Sequence, residues 1–281
     1  MNWYPAPAKL NLFLHVLGKR ADGYHELQTV FRLIDAADRV GIGVRSDGEL
    51  RFSGAFGDDN LCLRAARLLQ EETRSALGAD LALEKRLPVG GGLGGGSSDA
   101  ATVLLVLNKL WKLDLGRIDL QTLGARLGAD VPFFVFGESA LGEGIGERLS
   151  ALSLPGAWYL VVVPQVAVST GEIFSAALTH RGKRLTIPPF FAGLGENDLE
   201  PIVTARHPEV AQALQWLRRR SPKARMTGTG ACVFAELATE QEARALHAEL
   251  PRGMDGFIAR GLDRHPLYDW ASSQLGSRQA G

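Results

Sequence analysis

The sequence predicts an α+β fold built as two units, on three observations: the length, a strand-rich opening that gives way to apolar helices, and a β-α-β tail. At about 150 residues per domain, a chain of 281 residues makes two units, each large enough for its own core. Residues 8–52 read as strands, residues 61–127 as mainly helical, and residues 231–261 as strand, helix and strand. That last order suits a split βαβ half of the ferredoxin-like kind. The glycines at 142, 144 and 146 and then Leu154-Pro155-Gly156 punctuate the chain, so the boundary is placed near Ser150, giving units 1–150 and 151–281.

The opening strand is expected over residues 8–17. Leu10, Leu12, Leu14 and Val16 alternate with Lys9, Asn11, Phe13 and His15, which puts an apolar face opposite a chemically active one. Asp22-Gly23 marks a turn, further strands follow over 27–35 and 39–45, and Asp47-Gly48 predicts a hairpin-like reversal into a strand over 49–52. Asp58-Asp59-Asn60 supplies capping side chains for a helix over 61–77 with the stripe Leu61, Ala65, Leu68 and Leu69. A strand over 81–87 closes at Pro88, and after a glycine-rich run an apolar helix is expected over 100–113. Gly128 stops a helix over 119–127, and Asp130-Val131-Pro132 turns the chain into an apolar strand over 133–136. The second unit opens with a strand over 158–163 and continues with a helix over 208–220, a strand over 231–236, a helix over 239–250 and a strand over 256–261.

Composition excludes several classes of function. With 46% hydrophobic and 22% charged residues, the chain is neither disordered nor fibrous. Lys+Arg 31 balances Asp+Glu 31, so no overall field draws it to nucleic acid or an anionic bilayer, and neither partner is expected. The apolar runs at 131–136 and 158–164 are far shorter than the ~18 residues of a membrane span. The amino-terminal stretch has no basic leader and is interrupted by Lys9, Asn11 and His15, so a cytoplasmic protein is expected. Cys62 and Cys232 lack metal-ligand spacing and read as free buried thiols, and no metal site is expected.

The glycine run carries the most chemistry. Gly90, Gly91, Gly92, Leu93, Gly94, Gly95 and Gly96 lead through Ser97 and Ser98 into a helix start, offering bare backbone N–H groups and a positive dipole end to an anion such as phosphate. It is not a Walker A loop, because no lysine follows Gly96 before Lys109. A dinucleotide fingerprint is also weak here, since six glycines in seven positions satisfy nearly any glycine pattern. Lys9, beside Asn11 on the active face of the first strand, is the candidate cation; the alternative is a solvated lysine. Asp130, at a turn before a proline, is the candidate carboxylate; the alternative is a plain turn former.

The run PVGGGLGGGSSDAA resembles the second motif of the GHMP small-molecule kinases. PAKLNLFLHVLGKRADGYHEL, LGADVPFF and MTGTGACVF fit the same superfamily in order, across residues 5–261. The resemblance implies a GHMP-kinase-like fold, with an N-terminal mixed α/β ATP-binding domain and a C-terminal ferredoxin-like domain that together enclose ATP, its Mg²⁺ and a small substrate. Within the superfamily, the motifs resemble the branch that transfers the γ-phosphoryl of ATP to the 2-hydroxyl of a cytidyl-diphosphate-capped methylerythritol, in non-mevalonate isoprenoid synthesis. Homoserine, mevalonate or sugar kinases and a non-catalytic nucleotide binder are the alternatives.

By the same resemblance Lys9 and Asp130 are catalytic, Asp130 as base or orienter of the hydroxyl. Pro88, Val89 and the glycine run through Ser98 hold the phosphates, with Asn60 and Lys85 near the nucleotide. Asn11, Tyr24, His25, Thr170 and Phe174 contact the substrate, Tyr24 stacking on cytosine opposite Phe174 while His25 bonds its edge. Asn60 as a simple helix cap, Lys85 as an exposed edge residue and Phe174 as core are the structural alternatives. Phosphoryl transfer asks the protein mainly for positioning and charge stabilisation, which such a set supplies.

Overall fold

A computed structural model of the chain describes residues 1–54, 57, 60–177 and 195–272. Strands β1 (Asn2–Lys19) and β2 (His25–Arg45) form a long antiparallel pair around the expected turn. β2 is one strand where the sequence predicts two, and its middle carries Asp38 into a fully buried position. β2 also pairs with β4 (Gly78–Glu84) and β5 (Ala140–Gly144). The expected hairpin at Asp47-Gly48 does not form. β3 (Leu50–Ser53) instead runs parallel to β4, joined to it through α1 (Leu61–Thr73), and β4 lies between β3 and β2. The α1 stripe needs a sheet face to bury against, and a crossover through a helix supplies one.

Helix α2 (Gly95–Leu110) starts earlier than expected, inside the glycine run, and is buried along most of its length. With α1, α3 (Arg117–Ala125) and α4 (Val131–Phe136) it packs on Phe31, Leu33, Val40 and Ile42 of β2. Residues 133–136 are therefore helix, not the predicted strand. A short run apolar on every side carries no period to separate the two; Pro132 sits in the first turn, where its missing N–H costs nothing, and Gly137 ends the helix in the left-handed region at φ 77. β6 (Arg148–Ala151) completes a hairpin with β5.

The second half contains β7 (Trp158–Val163), α5 (Thr170–Ala176), α6 (Glu200–Arg206), α7 (Pro208–Arg218), β8 (Arg225–Met226), β9 (Val233–Leu237), α8 (Glu240–Ala248) and β10 (Asp255–Leu262). Its strand order is β10-β7-β9-β8, with β9 and β10 flanking β7 and joined by α8, so the expected split βαβ is present. β10 also pairs with β2 at Gly261↔Ile34 and Leu262↔Leu33, which makes a single ten-stranded sheet of the described strands. α9 (Tyr268–Ser272) follows β10. No helix among the described residues is long and apolar enough to cross a membrane.

The end of β1 belongs to the core of the second half. Leu14 and Val16 pack with Leu160, Leu199 and Val233, while Leu10 and Phe13 pack between the halves with Tyr159 and Phe234. Leu12 has no pairing partner on β2, so the register shifts between Asn11 and Phe13. This bulge breaks the simple alternation: Phe13 joins the packing of Leu10 and does not share the face of Lys9 and Asn11.

Candidate active site

A cavity of about 670 Å³ opens between the halves, bordered by the glycine run, Lys9, Lys85, Asp130, Thr170 and Phe174. Neighbouring strands and turns hold the loop by its carbonyls. Leu93 O accepts from Lys9 N at 3.0 Å, Gly90 O from Ala231 N at 3.2 Å and Gly91 O from Cys232 N at 3.1 Å. Gly92 O accepts from Thr227 Oγ1 at 3.4 Å. Gly92 has φ +75, and a Cβ there would lie 2.3 Å from Thr227 O; Gly94 has φ +72, and its Cβ would meet the Phe134 ring at 2.9 Å. Both positions require glycine. Gly94 caps α2, so the amides of Gly95, Gly96 and Ser97, which line the cavity, have no intrahelical partner and sit at the positive end of the helix. Ser98 departs from the expectation. Its N–H is already bonded to Gly94 O at 2.9 Å, and its hydroxyl is buried without a partner.

Lys9 and Asp130 meet at this loop, with Nζ 3.4 Å from Oδ2; the lysine side chain is 4% exposed and the aspartate 34%. Asn11 Oδ1 also accepts from Lys9 Nζ. Asn11 is itself fixed, its Nδ2 donating to Thr29 Oγ1 at 2.8 Å and its N–H to Thr227 Oγ1 at 2.9 Å. Asp130 stands at the entry to α4, not at the entry to a strand, and Val131 is helical in spite of Pro132. One buried cation thus faces one carboxylate that keeps access to the cavity.

Lys85 is not an exposed edge residue. Its Nζ is 3.0 Å from Asp99 Oδ2 and also bonds Asp38 Oδ2, and both carboxylates are buried. Burial works against the Lys85 charge, but the two carboxylates outweigh it and hold the ammonium above its ordinary range. Burial, opposed by attraction to Lys85 and reinforced by Asp38, pushes Asp99 up to about 7. Asn60 lines the cavity and also caps α1, its Oδ1 accepting from Cys62 N at 2.7 Å. Cys62 and Cys232 are free and buried, and burial raises both thiols.

At the other end of the cavity the ring stacked on Phe174 is that of His25, with centroids 5.4 Å apart and planes at 28°. Tyr24 is 59% exposed on the turn before β2. Burial, with the Lys19 charge adding, lowers the His25 pKa, and its Nε2 is buried without a partner. Thr170 Oγ1 lies 3.0 Å from Thr229 Oγ1, which ties α5 to a second glycine turn, Thr227-Gly228-Thr229-Gly230.

Asn197, Asp38 and Asp99 are not marked by the sequence. Asn197 Nδ2 donates to Met226 O at 2.9 Å and Gly228 O at 2.8 Å, fixing the turn that holds Gly92. A lone Asn before Asp198 has the appearance of a loop residue, and nothing in its spacing marks it.

Partner-free backbone amides at a helix start, a buried lysine and an accessible aspartate around one cavity between two α/β halves are the parts a small-molecule kinase needs. The chain belongs to the GHMP kinases, ATP-dependent enzymes of that class: the GHMP kinases N terminal domain matches residues 60–138, and the GHMP kinases C terminal domain residues 186–256. It is 58% identical over 272 residues to the 4-diphosphocytidyl-2-C-methyl-D-erythritol kinase of Thiobacillus denitrificans, covering 95% of this chain and 98% of the relative. It is 57% identical over 274 residues to the kinase of that name from Nitrosospira multiformis, covering 95% and 93%. A crystal structure of 4-(cytidine 5'-diphospho)-2C-methyl-D-erythritol kinase matches at 36% identity with a TM-score of 0.83, over 92% of this chain and 99% of that one. A homoserine kinase from Cytophaga hutchinsonii, 16% identical with a TM-score of 0.69 over 94% of each chain, shares the fold.

Proposed function

We propose that this kinase transfers the γ-phosphoryl group of ATP to the 2-hydroxyl of 4-diphosphocytidyl-2-C-methyl-D-erythritol, giving the 2-phosphate and ADP, in non-mevalonate isoprenoid synthesis in the cytoplasm. The observation that carries the chemistry is the 3.4 Å approach of Lys9 to Asp130 beside the glycine run. The amides of Gly95, Gly96 and Ser97 bind the phosphates; Lys9 stabilises charge on the transferring group; Asp130 orients the hydroxyl and takes its proton as the oxygen–phosphorus bond forms. Asn60 and Lys85 flank the nucleotide.

Asn11, Thr170, Phe174 and His25 form the substrate wall, with Tyr24 at its rim. Phe174 offers a face to a base, and hydrogen bonds supply the choice of cytosine. Mg²⁺ enters as part of the nucleotide substrate, and the oxygen-bearing wall at Asp130 suits a hard cation carried on phosphates. The division into units near Ser150 puts the glycine run in the first and Thr170 and Phe174 in the second. A coupled ADP-release assay tests the reading. Turnover with the cytidyl substrate, and little with homoserine or mevalonate, is the expected result; turnover with either of those instead would refute the substrate assignment.

A further inference from the structure

The Lys85 cluster lies directly beneath the first turn of α2. A Cβ on Gly95 would come within 3.0 Å of Lys85 Nζ and 3.2 Å of Asp38 Oδ2. The two carboxylates on this ammonium are not equivalent. Asp38, with no exposed side-chain surface, is saturated: Oδ1 accepts from Arg86 N at 2.6 Å and Leu87 N at 2.8 Å, and Oδ2 bonds Lys85. Asp99, 3% exposed, bonds Lys85 through Oδ2, while its Oδ1 is buried with no hydrogen-bond partner.

Lys85 and Asp38 are the charged groups that act on Asp99; from α1, the Cys62 thiol faces the same cluster and stays neutral because burial and these carboxylates raise it. With both carboxylates ionised the cluster carries one uncompensated negative charge, buried behind amides that receive an anion. That charge repels incoming phosphates. Protonation removes the repulsion, and Asp99 is the carboxylate placed to accept it: the Asp38 oxygens already accept three hydrogen bonds, whereas Asp99 Oδ1 accepts none.

We propose that Asp99 is a positioning residue for the nucleotide, acting through Lys85, and that it takes up a proton as the phosphates arrive. The inference rests on the ATP reading above. In the proton balance, one proton from solvent adds to the Asp99 carboxylate and Lys85 keeps its own, leaving the cluster neutral. The sign follows from linkage: nucleotide affinity is highest where Asp99 is already protonated and weakens as pH rises through 7.

The test is titration calorimetry of the full chain with ATP at saturating magnesium, in buffers of different ionisation enthalpy. We expect net uptake approaching about half a proton per nucleotide at pH 7, and a Kd that weakens on the order of tenfold between about pH 6.5 and 8.5. The Asp99→Asn variant binds without proton uptake and with a flat pH profile. Wild-type binding with no proton exchange, or an uptake unchanged in D99N, overturns the inference alone; absence of any nucleotide binding by the wild type overturns the kinase reading with it. Should D99N fail to fold, the wild-type calorimetry decides by itself.

Discussion

Asp130 Oδ2 is 3.4 Å from Lys9 Nζ, and the pair is asymmetric: the lysine is sealed in while the aspartate keeps an open side. In the proposed reaction the fixed partner sets a charge and the accessible one meets substrate. Asp130→Asn keeps the shape of this wall and removes the proton acceptor. Turnover should fall by about 10²-fold or more while ATP affinity stays within a few-fold, on the usual range for a general base. Steady-state rates and direct ATP binding check this, and near-normal turnover would take Asp130 out of the mechanism.

Phe174 lines the cavity and stacks on His25, and in the proposed function it is the aromatic wall of the substrate end. Phe174→Ala should raise KM for the cytidyl substrate about tenfold or more, within the range of base-stacking losses, and leave KM for ATP nearly alone. Tyr24→Ala, at a side chain 59% exposed, should do less. An equal rise for both substrates in F174A would argue against base stacking.

Gly92→Ala tests the loop. The left-handed backbone alone costs about 1–2 kcal/mol for alanine, and the new Cβ would press on Thr227 O, a backbone atom that gives only if the second turn moves. Expected are a lower Tm and a kcat reduced by on the order of 10²-fold, the scale of a misplacement of about 1 Å. Full activity in G92A would show that the loop and the turn move independently.

Acid stability has a marked contributor in His265. Burial, with the Arg117 cation adding, pushes its pKa down to about 3, and Nδ1 accepts from Leu267 N at 3.0 Å. Between pH ~6.5 and about 3 the unfolded chain takes a proton that the folded chain refuses. The stability His265 contributes is therefore whole above the unfolded pKa and is lost as pH falls through that window. His265→Asn, which cannot take the proton, should show a smaller fall in Tm between pH 7 and about 4.5 than the wild type. Identical slopes in the two proteins would remove His265 as the cause.

Much of this was legible in the chain. The glycine run, Asn60, Lys9 and Asp130 were all marked by local chemistry, and the structure gathers them around one cavity. What escaped depended on long-range packing. Residues 133–136 read as strand because an evenly apolar run has no period, and only burial against Phe31 and α2 shows it to be helix. Asp38 fell in the gap between two supposed strands, a natural place for a solvated aspartate, until continuity of β2 carried it inside to meet Lys85. The bulge at Leu12 moved Phe13 away from Lys9 with no glycine or proline to announce it. Asn197 acts on carbonyls of a turn some thirty positions away, and no local pattern records such a bond.

The end of β1 has a bearing on how the chain is made. Leu14 N donates to Glu196 O at 2.9 Å, Asp198 N to Leu14 O at 2.9 Å, and Val16 N to Asp198 Oδ2 at 2.8 Å. A ribosome delivers β1 first, yet these partners emerge only after most of the polypeptide has been translated, ~10 s or more later at ordinary translation rates. Until then the nascent strand exposes Leu14 and Val16 without their final neighbours, so the cleft cannot close over ligand before synthesis nears its end.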